Sequence, residues 1–359
     1  MSERYVFDRA PLRVYWETTR ACDLACRHCR AEAAADPDPS QLTTAEGLRL
    51  LEDLARFGAP LPHVILTGGD PLKRPDLFTL IAHARALGFA VSVAPSGTPL
   101  LTAEAIARLA EAGVEAISLS VDGASAARHD GLRGVEGCYT RTLAAATAAR
   151  AVALPFQVNT LVCAETLDDL PAILPVVVAL GAARWSLFFL IAVGRGSVLQ
   201  PIAPEACEHL LAWVAGLGRP GGLVITTTEA PHFRRVALQR GWAHGAPARG
   251  GLHGAGIRDG NGIMFVGHTG EITPSGFLPL SVGNVREVDI VQAYRDSPLF
   301  RDLRAVELYT GRCSACEFRG PCGGSRARAF AASGDPLGED PLCAHHPGTR
   351  PTAPTAPPA

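Results

Sequence analysis

Three cysteines close to the N-terminus constrain this chain more than any other feature of its sequence. Cys22, Cys26 and Cys29 have the spacing C-x3-C-x2-C and follow directly on a strand-like run, RVYWET. Three thiolates can hold three irons of a [4Fe–4S] cube and leave the fourth iron without a protein ligand, whereas most structural clusters use four cysteines. A metal with an open coordination position can bind and activate a small molecule. The triplet therefore favours a catalytic iron–sulfur site.

Two plainer interpretations of the triplet stay open at this point. The thiols could belong to a zinc knuckle, or they could be three unrelated buried side chains. Zinc sites normally pair a C-x2-C with a second pair of ligands nearby, and only His28 is close to the triplet in the sequence.

The composition is that of a soluble globular protein, with 359 residues of which 47% are hydrophobic and 19% charged. A chain of this length predicts two domains. The net charge of −2, without a basic stripe, argues against a nucleic-acid partner. The first ten residues lack the apolar core of a signal peptide, and the most apolar stretch, 170–193, is interrupted by Pro171, Pro175 and Arg184, so no membrane partner is expected. Ten cysteines in such a chain indicate metal ligands in a reducing cytoplasm rather than disulfides.

An alternation of strand-like and helix-like segments runs from residue 13 to about 193. The predicted strands are 13–18, 63–66, 90–94, 116–121, 156–162 and 185–191, and the predicted helices lie near 43–57, 75–87, 102–112, 138–150 and 166–180. Alternating strands and helices with short connections predict parallel strands with right-handed crossovers. Six units are too few for a closed eight-stranded barrel, and they fit an α/β fold with a partial (β/α)6 TIM-like barrel.

Glycine and polar residues collect at the ends of the predicted strands, where parallel barrels place their active sites. The second strand runs into Gly68-Gly69-Asp70. Two glycines allow a close backbone approach and a carboxylate favours an ammonium group, although a plain strand-to-helix turn has the same composition. The third strand ends at Ser96, whose hydroxyl could either reach a ligand or cap a helix.

The fourth predicted strand ends in Ser120-Val121-Asp122-Gly123, and Arg133-Gly134 follows. Arginine suits a carboxylate ligand because its fork gives two parallel charged hydrogen bonds. Asp122 is equally consistent with a turn residue that bonds its own backbone.

The triplet after a first strand, the Gly-Gly-Asp segment about forty residues later and the S-x-D-G…R-G stretch resemble the radical S-adenosylmethionine (radical SAM) superfamily. The resemblance covers residues 13–345. It implies a cluster whose open iron is chelated by the amino and carboxylate groups of the methionine moiety of SAM. An electron from the cluster then splits the sulfonium to a 5′-deoxyadenosyl radical, which abstracts hydrogen from a substrate. The resemblance also implies an electron donor such as flavodoxin or ferredoxin.

The same resemblance assigns the residues of the SAM site. It implies that the backbone of the Gly-Gly-Asp segment receives the methionine amino group and that Ser120 and Arg133 contact SAM. Asp70 stands where Glu is commoner in the family, and Ser96 stands where Asn is frequent. The cofactor-binding residues expected on this basis are Gly68, Gly69, Asp70, Ser96, Ser120, Asp122, Arg133, Asn159 and Gly194, of which the last two would border the nucleoside.

A second group of cysteines lies near the C-terminus with the spacing C-x2-C-x5-C-x20-C. Its members are Cys313, Cys316, Cys322 and Cys343. Four thiolates with this spacing could hold one zinc. The wider frame, GRCSACEFRGPCGGSRARAF, resembles the SPASM extension found behind many radical SAM domains, and by that resemblance the four cysteines ligate an auxiliary [4Fe–4S] cluster.

A full SPASM extension has further cysteines for a second auxiliary cluster, and this chain lacks them. Ser275 stands where the pattern expects a cysteine after Gly270, and Arg326 stands where another cysteine would follow Cys322. We therefore expect two [4Fe–4S] clusters in all, the SAM-binding one and one fully thiolate-ligated auxiliary cluster. Ligation of a third cluster by His253, His268 or Ser275 is the alternative.

The pattern and the resemblance together divide the chain into four parts. We expect a radical SAM partial barrel over 1–200, a helical bridging region over 201–252, a small SPASM-like iron–sulfur domain over 253–346 and a disordered Pro/Thr/Ala-rich tail over 347–359. Within them, helices are predicted near 204–217, 229–240 and 288–303, and a hairpin is predicted around residues 262–273.

One further cluster of charge is a candidate for substrate binding. His232, Arg234 and Arg235 precede the glycine-rich connection and could hold substrate carboxylates, or they could be the solvated start of a helix.

Three hypotheses about the function of the chain follow from these features. The PSGFLPL, GNVRE and CGGSRARAFA segments resemble the tetrapyrrole-modifying branch of the family, whose enzymes act oxidatively on propionate side chains in alternative heme and heme d1 synthesis. The second hypothesis is a maturase of a ribosomally made peptide, whose recognition module would be a separate chain because only about twelve residues precede the first strand. A non-catalytic iron–sulfur electron carrier is the third, and it has no need for the SAM-site residues.

Overall fold

A computed structural model describes residues 7–241 and 256–348. The strands are β1 (Arg13–Glu17), β2 (His63–Thr67), β3 (Val91–Val93), β4 (Ala116–Ser120), β5 (Phe156–Val162), β6 (Arg184–Phe189), β7 (Val224–Thr228), β8 (Ile263–Val266) and β9 (Ile272–Thr273). The helices are α1 (Thr44–Ala55), α2 (Leu77–Ala86), α3 (Ala103–Glu111), α4 (Ala126–Arg133), α5 (Cys138–Ala151), α6 (Leu170–Leu180), α7 (Pro204–Gly216), α8 (His232–Gln239), α9 (Ile290–Asp296), α10 (Pro298–Arg304), α11 (Gly311–Ser314) and α12 (Arg326–Ser333).

The described strands form one sheet in the order β7-β6-β5-β4-β3-β2-β1-β8-β9. Every neighbouring pair is parallel except the β8–β9 hairpin. The six predicted strands and the helices between them are confirmed, with ends that differ by at most four residues. The predicted partial barrel is confirmed as well, because strands and helices alternate along a parallel sheet.

Within the described residues, the structure adds four elements that the sequence analysis missed, α4, β7, α11 and α12, and it divides one predicted helix in two. Helix α4 lies between β4 and α5, and β7 lies in the region 201–252 that was expected to be helical, so that expectation is wrong for this segment. The sequence of β7, VITTT, is rich in β-branched residues and pairs in parallel with β6. The helix predicted near 288–303 is two helices, α9 and α10, which meet at Ser297-Pro298 because proline cannot donate a helical hydrogen bond.

The predicted hairpin of β8 and β9 is confirmed, and it extends the barrel sheet. Strand β8 pairs in parallel with β1, with Arg13 opposite Ile263 and Trp16 opposite Val266. The C-terminal part of the chain is thus joined through backbone hydrogen bonds to the strand that precedes the cysteine triplet. Residues 242–252 of the predicted bridge, His253 and residues 349–359 of the predicted tail lie outside the described residues.

The apolar core lies between the sheet and the helices that cover it. Trp16 and Val14 of β1 are fully buried and belong to one cluster with Leu50, Leu51 and Leu54 of α1. Helix α1 begins with a capping box in which Thr43 and Glu46 exchange hydrogen bonds with each other's backbone. Among the described residues, no helix combines the length and the apolar composition that a membrane crossing requires.

This packing predicts unequal costs for two leucine truncations. Leu54→Ala should lower the free energy of unfolding by about 2–5 kcal/mol, because its side chain is fully buried in the main core. Leu100→Ala is the matched control, since that side chain is 42% exposed, and it should change the free energy by less than about 1 kcal/mol. Urea unfolding under anaerobic conditions measures both, and equal costs would contradict this assignment of the core.

Candidate active site

The cysteine triplet lies in a loop that begins at the C-terminal end of β1. Cys22 and Cys26 are buried and Cys29 is partly exposed. The loop folds back on itself, because the Cys22 N–H donates to the Ala34 carbonyl at 2.7 Å and the Ala34 N–H donates to the Arg20 carbonyl at 3.2 Å. The three sulfurs are therefore held on one short, hydrogen-bonded loop.

Hydrogen-bond donors point at two of these sulfurs, those of Cys22 and Cys26. The Leu24 N–H lies 3.4 Å from the Cys22 sulfur, and an Arg133 Nη1 lies 3.8 Å from the Cys26 sulfur. Burial raises the pKa of both thiols, and the Arg133 charge opposes this effect at Cys26. Donors aimed at sulfur stabilise thiolates, the form that binds metal. The donor set therefore fits a cluster held by three thiolates.

The turn after β6 supports the same loop from the other side. Gly194 has φ +53°, and a Cβ there would lie 2.6 Å from the Arg30 carbonyl oxygen. The Arg195 N–H donates to the Cys29 carbonyl at 3.0 Å, and its Nε donates to the Cys26 carbonyl at 3.1 Å. The structure thus places Gly194, expected beside the nucleoside, against the cysteine loop, and it gives Arg195 a bracing role that the sequence analysis did not assign.

The Gly-Gly-Asp segment packs directly against the backbone at the start of the cysteine loop. The Gly69 N–H donates to the Thr19 carbonyl at 2.8 Å, and the Asp70 N–H donates to the Ala21 carbonyl at 2.7 Å. A Cβ on Gly68 would lie 2.3 Å from the Thr19 oxygen, and one on Gly69 would lie 2.4 Å from the Ala21 oxygen. Both positions therefore require glycine, which the sequence had indicated.

The Asp70 carboxylate ties the end of β2 to the segment after β3. It is fully buried and accepts hydrogen bonds from the Thr98 hydroxyl at 2.7 Å and the Leu72 N–H at 3.1 Å. Burial raises its pKa, and these hydrogen bonds partly offset the rise. Attraction of an ammonium group by this carboxylate stays a prediction.

Ser96 lies between the Gly-Gly-Asp segment and the triplet. Its hydroxyl donates to the Gly69 carbonyl at 2.6 Å, and its oxygen lies 3.7 Å from the Cys22 sulfur. The structure therefore brings Ser96 next to the cysteine site.

Asp122 and Arg133 form a buried ion pair beside the triplet. The Arg133 Nε donates to Asp122 Oδ2 at 2.7 Å, and an Nη makes a second bond to the same oxygen. Burial raises the pKa of Asp122, but the charges of Arg133, His28 and His129 and the hydrogen bond from Leu161 together outweigh burial and lower the pKa to about 2. Asp122 Oδ1 accepts from the Leu161 N–H at 2.7 Å. The arginine fork expected to bind SAM is thus anchored on Asp122, while Nη1 faces Cys26.

Ser120 and Asn159 are neighbours on adjacent strands. They are register partners in the β4–β5 pairing, and both are half-buried. Ser120 is the last residue of β4, whereas Asn159 lies in the middle of β5, where its Oδ1 accepts a hydrogen bond from the Gln157 amide at 2.6 Å. The predicted contacts of Ser120 with SAM and of Asn159 with the nucleoside stay predictions.

His28 and Glu17 are further residues of this region that sequence reasoning did not assign. The buried Nδ1 of His28 has no hydrogen-bond partner among the described residues, and burial lowers the pKa of this imidazole to about 4. Its only sequence signal is its position between Cys26 and Cys29. Glu17 lies 2.9 Å from an Arg30 Nη and 2.9 Å from His268 Nδ1.

Two of the three residues considered as ligands of a third cluster, His268 and Ser275, have other partners, and His253 lies outside the described residues. His268 lies between Glu17 and Asp38, at 2.9 and 3.3 Å. The Ser275 hydroxyl accepts from the Phe277 N–H at 3.3 Å.

The four C-terminal cysteines meet around one small cavity. The cavity is lined by the sulfur-bearing residues Cys313, Cys316, Cys322 and Cys343, together with His232, Arg235, Phe318, Arg319, Gly323 and Gly324. Burial raises the pKa of Cys322 to about 12 and that of Cys343 to about 11, while Arg234 and Arg235 oppose the rise. The structure therefore brings together all four cysteines of the second group.

The basic residues at the start of α8 are engaged within the protein. His232 is buried against Asp340, at 3.1 Å. Arg234 donates to the Ile257 carbonyl at 2.7 Å, and Arg235 pairs with Glu208. The alternative of a solvated helix start is wrong, because all three side chains have partners within the protein and those of His232 and Arg235 line the cysteine cavity. Binding of substrate carboxylates by these residues stays a prediction.

Comparison with known proteins identifies the family. The Radical SAM superfamily matches residues 16–174, and the chain belongs to this superfamily. It is 38% identical over 347 residues to an AdoMet-dependent heme synthase of Oleidesulfovibrio alaskensis, which covers 95% of this chain and 89% of that protein. It is 30% identical to a pre-heme d1 synthase of Dinoroseobacter shibae, over 92% of this chain and 85% of that protein.

This chain is also similar to peptide-modifying proteins. A PqqA peptide cyclase of Methylocella silvestris is 28% identical over 93% of this chain and 87% of that protein. A solved structure of native anSMEcpe with bound AdoMet has a TM-score of 0.71 at 15% identity and covers 93% of this chain and 94% of that one. At that identity the structural likeness concerns the fold alone.

The contact between the glycine pair and the cysteine loop predicts the effect of a single methyl group. Gly69→Ala should displace the loop and reduce SAM binding by at least about tenfold, because its Cβ would lie 2.4 Å from a backbone oxygen. Gly131→Ala in α4 is the matched control, since a Cβ there meets no atom within 4 Å. Equilibrium binding of SAM to reconstituted protein measures both variants, and unchanged affinity of Gly69→Ala would contradict the assignment.

Proposed function

We propose that this radical SAM enzyme abstracts hydrogen from a propionate side chain of a tetrapyrrole. The observation that carries this proposal is the 38% identity to an AdoMet-dependent heme synthase over almost the whole of both chains. The pre-heme d1 synthase among the relatives supports the same substrate class.

The proposed roles follow from the positions of the residues. Cys22, Cys26 and Cys29 would hold the SAM-binding [4Fe–4S] cluster, which supplies the electron that cleaves SAM to the 5′-deoxyadenosyl radical. The backbone of Gly68-Gly69 would receive the methionine amino group. Asp70, whose side chain is buried, holds the β3 end in place.

Arg133 would face the methionine carboxylate with the one Nη that is not bonded to Asp122. The buried ion pair fixes the direction of the guanidinium, so that little side-chain entropy is lost on binding. Ser96 after β3, Ser120 at the end of β4 and Asn159 in β5 would border the rest of the cofactor.

We also propose an auxiliary [4Fe–4S] cluster at the four C-terminal cysteines. Its support is the convergence of four sulfurs and several cationic side chains on one cavity. A flavodoxin or ferredoxin would supply the electron for SAM cleavage, and a reducing cytoplasm would suit oxygen-sensitive clusters. The division into barrel, bridge and SPASM-like parts stays a prediction.

A second candidate function is the maturation of a peptide. The observation that favours it is the 28% identity to a PqqA peptide cyclase. It shares the proposed SAM chemistry and differs in the substrate.

Iron analysis tests the two clusters. After anaerobic reconstitution the chain should bind about eight irons, and the triple replacement of Cys22, Cys26 and Cys29 by alanine should remove about half. Cys29→Ala alone should abolish 5′-deoxyadenosine release. Cys163→Ala, a buried cysteine outside both groups, is the control and should leave iron and release unchanged. Stoichiometric zinc at the C-terminal cysteines would overturn the auxiliary cluster.

The substrate proposal is tested with iron coproporphyrin III as the probe. Reduced enzyme should release 5′-deoxyadenosine faster with this porphyrin and convert its propionates. The control is the same porphyrin with esterified propionates, which should not be converted. Conversion of a short peptide, with no response to the porphyrin, would instead support the peptide maturase.

A further inference from the structure

A fully buried arginine lies beside one sulfur of the C-terminal cysteine group and has no carboxylate partner among the described residues. Arg326 is 0% exposed, and its Nη1 donates to the carbonyls of Pro336 at 3.1 Å and Gly338 at 2.7 Å. Its Nη2 lies 3.9 Å from the Cys313 sulfur. None of the ion pairs found within residues 7–241 and 256–348 includes Arg326.

The absence of a side chain at Gly324 leaves space for the Arg326 guanidinium. Gly324 has φ +64°, and a Cβ there would lie 2.5 Å from Arg326 Nη2. The guanidinium carbon lies 4.5 Å from the centre of the Tyr309 ring on which it packs. Arg326 is therefore held in one orientation, with an N–H directed at a cysteine sulfur.

Arg234 places a second charge near the cavity. It donates to the carbonyls of Pro321 and Ile257, at 3.2 and 2.7 Å, and it too appears in none of the ion pairs of the described chain. Burial lowers its pKa to about 10, while the nearby Cys322 opposes the decrease. The guanidinium stays charged at neutral pH.

Burying an unpaired charge costs several kcal/mol unless a counter-charge lies close by. Neutral thiols would supply no such charge. Thiolates that ligate a cluster would supply it, and each added electron would increase the negative charge that the arginines face. Positive charge and N–H···S hydrogen bonds next to a cluster stabilise its reduced state.

We propose that the positive charge of Arg326, together with that of Arg234, raises the reduction potential of the auxiliary cluster. The inference rests on the proposed auxiliary cluster. It also explains why an arginine occupies the position where the C-x5-C-x3-C pattern would place a further cysteine. The side chain changes the reduction potential of the auxiliary cluster instead of ligating a further cluster.

The test uses the full chain with Cys22, Cys26 and Cys29 replaced by alanine, so that only the auxiliary cluster contributes. The reduction potential is measured by titration followed with EPR, and iron content is measured in parallel. In this background, Arg326→Met should lower the ratio of reduced to oxidised cluster about tenfold at a fixed potential, which is about 59 mV for one electron. Arg326→Lys keeps the charge and should shift the potential by less than half as much.

Arg85→Met is the matched control, since it removes a charge that pairs with Glu115 on the surface. It should leave the potential unchanged. If Arg326→Met does not retain iron, Arg234→Met decides the question, with a shift of the same sign expected.

An intact EPR signal with an unchanged or higher potential in the methionine variant would overturn the inference. Equal shifts in the lysine and methionine variants would also overturn it, because they would show loss of packing rather than of charge. Absence of any cluster in the parent background would instead overturn the auxiliary cluster itself, and the inference with it.

Discussion

The close backbone contact between the ends of β1 and β2 is the constraint on which the site depends. Gly68 and Gly69 approach the carbonyls of Thr19 and Ala21 so closely that no side chain fits between them. This contact fixes where the cysteine loop starts, and Ser96 and Gly194 then reach the loop from two other strand ends. Because parallel strands all end at the same edge, one sheet brings together residues that are far apart in sequence.

Buried charge organises both cysteine groups, by different means. Near the triplet, Arg133 is neutralised by Asp122, so the pair is a rigid support with one free donor directed at Cys26. Near the second group, Asp340 is shared by Arg328 and His232, whereas Arg326 bonds only to backbone oxygens and a sulfur. The first arrangement suits recognition of a ligand, and the second leaves positive charge facing the sulfurs.

The sequence predicted the features that local pattern controls. Alternating apolar segments gave the six central strands, and cysteine spacing gave both groups of sulfurs. It could not predict pairings between distant residues, such as His232 with Asp340 or Glu17 with His268, because nothing in the local pattern records them. The same limit led to a substrate role for Arg234, whose partners at Ile257 and Pro321 only the fold reveals. Strand β7 was missed because its five residues show no alternation of apolar and polar side chains that would distinguish them from a loop.

The parallel pairing of β1 with β8 has a consequence for biosynthesis. Residues 13–16 find their partner on that side only at residues 263–266, so the first strand is an unprotected edge until most of the polypeptide has left the ribosome. Exposed edges invite pairing with other chains, and contacts of such long sequence separation form slowly. The strand that leads into the three thiols is thus made early but paired on both sides only late in translation.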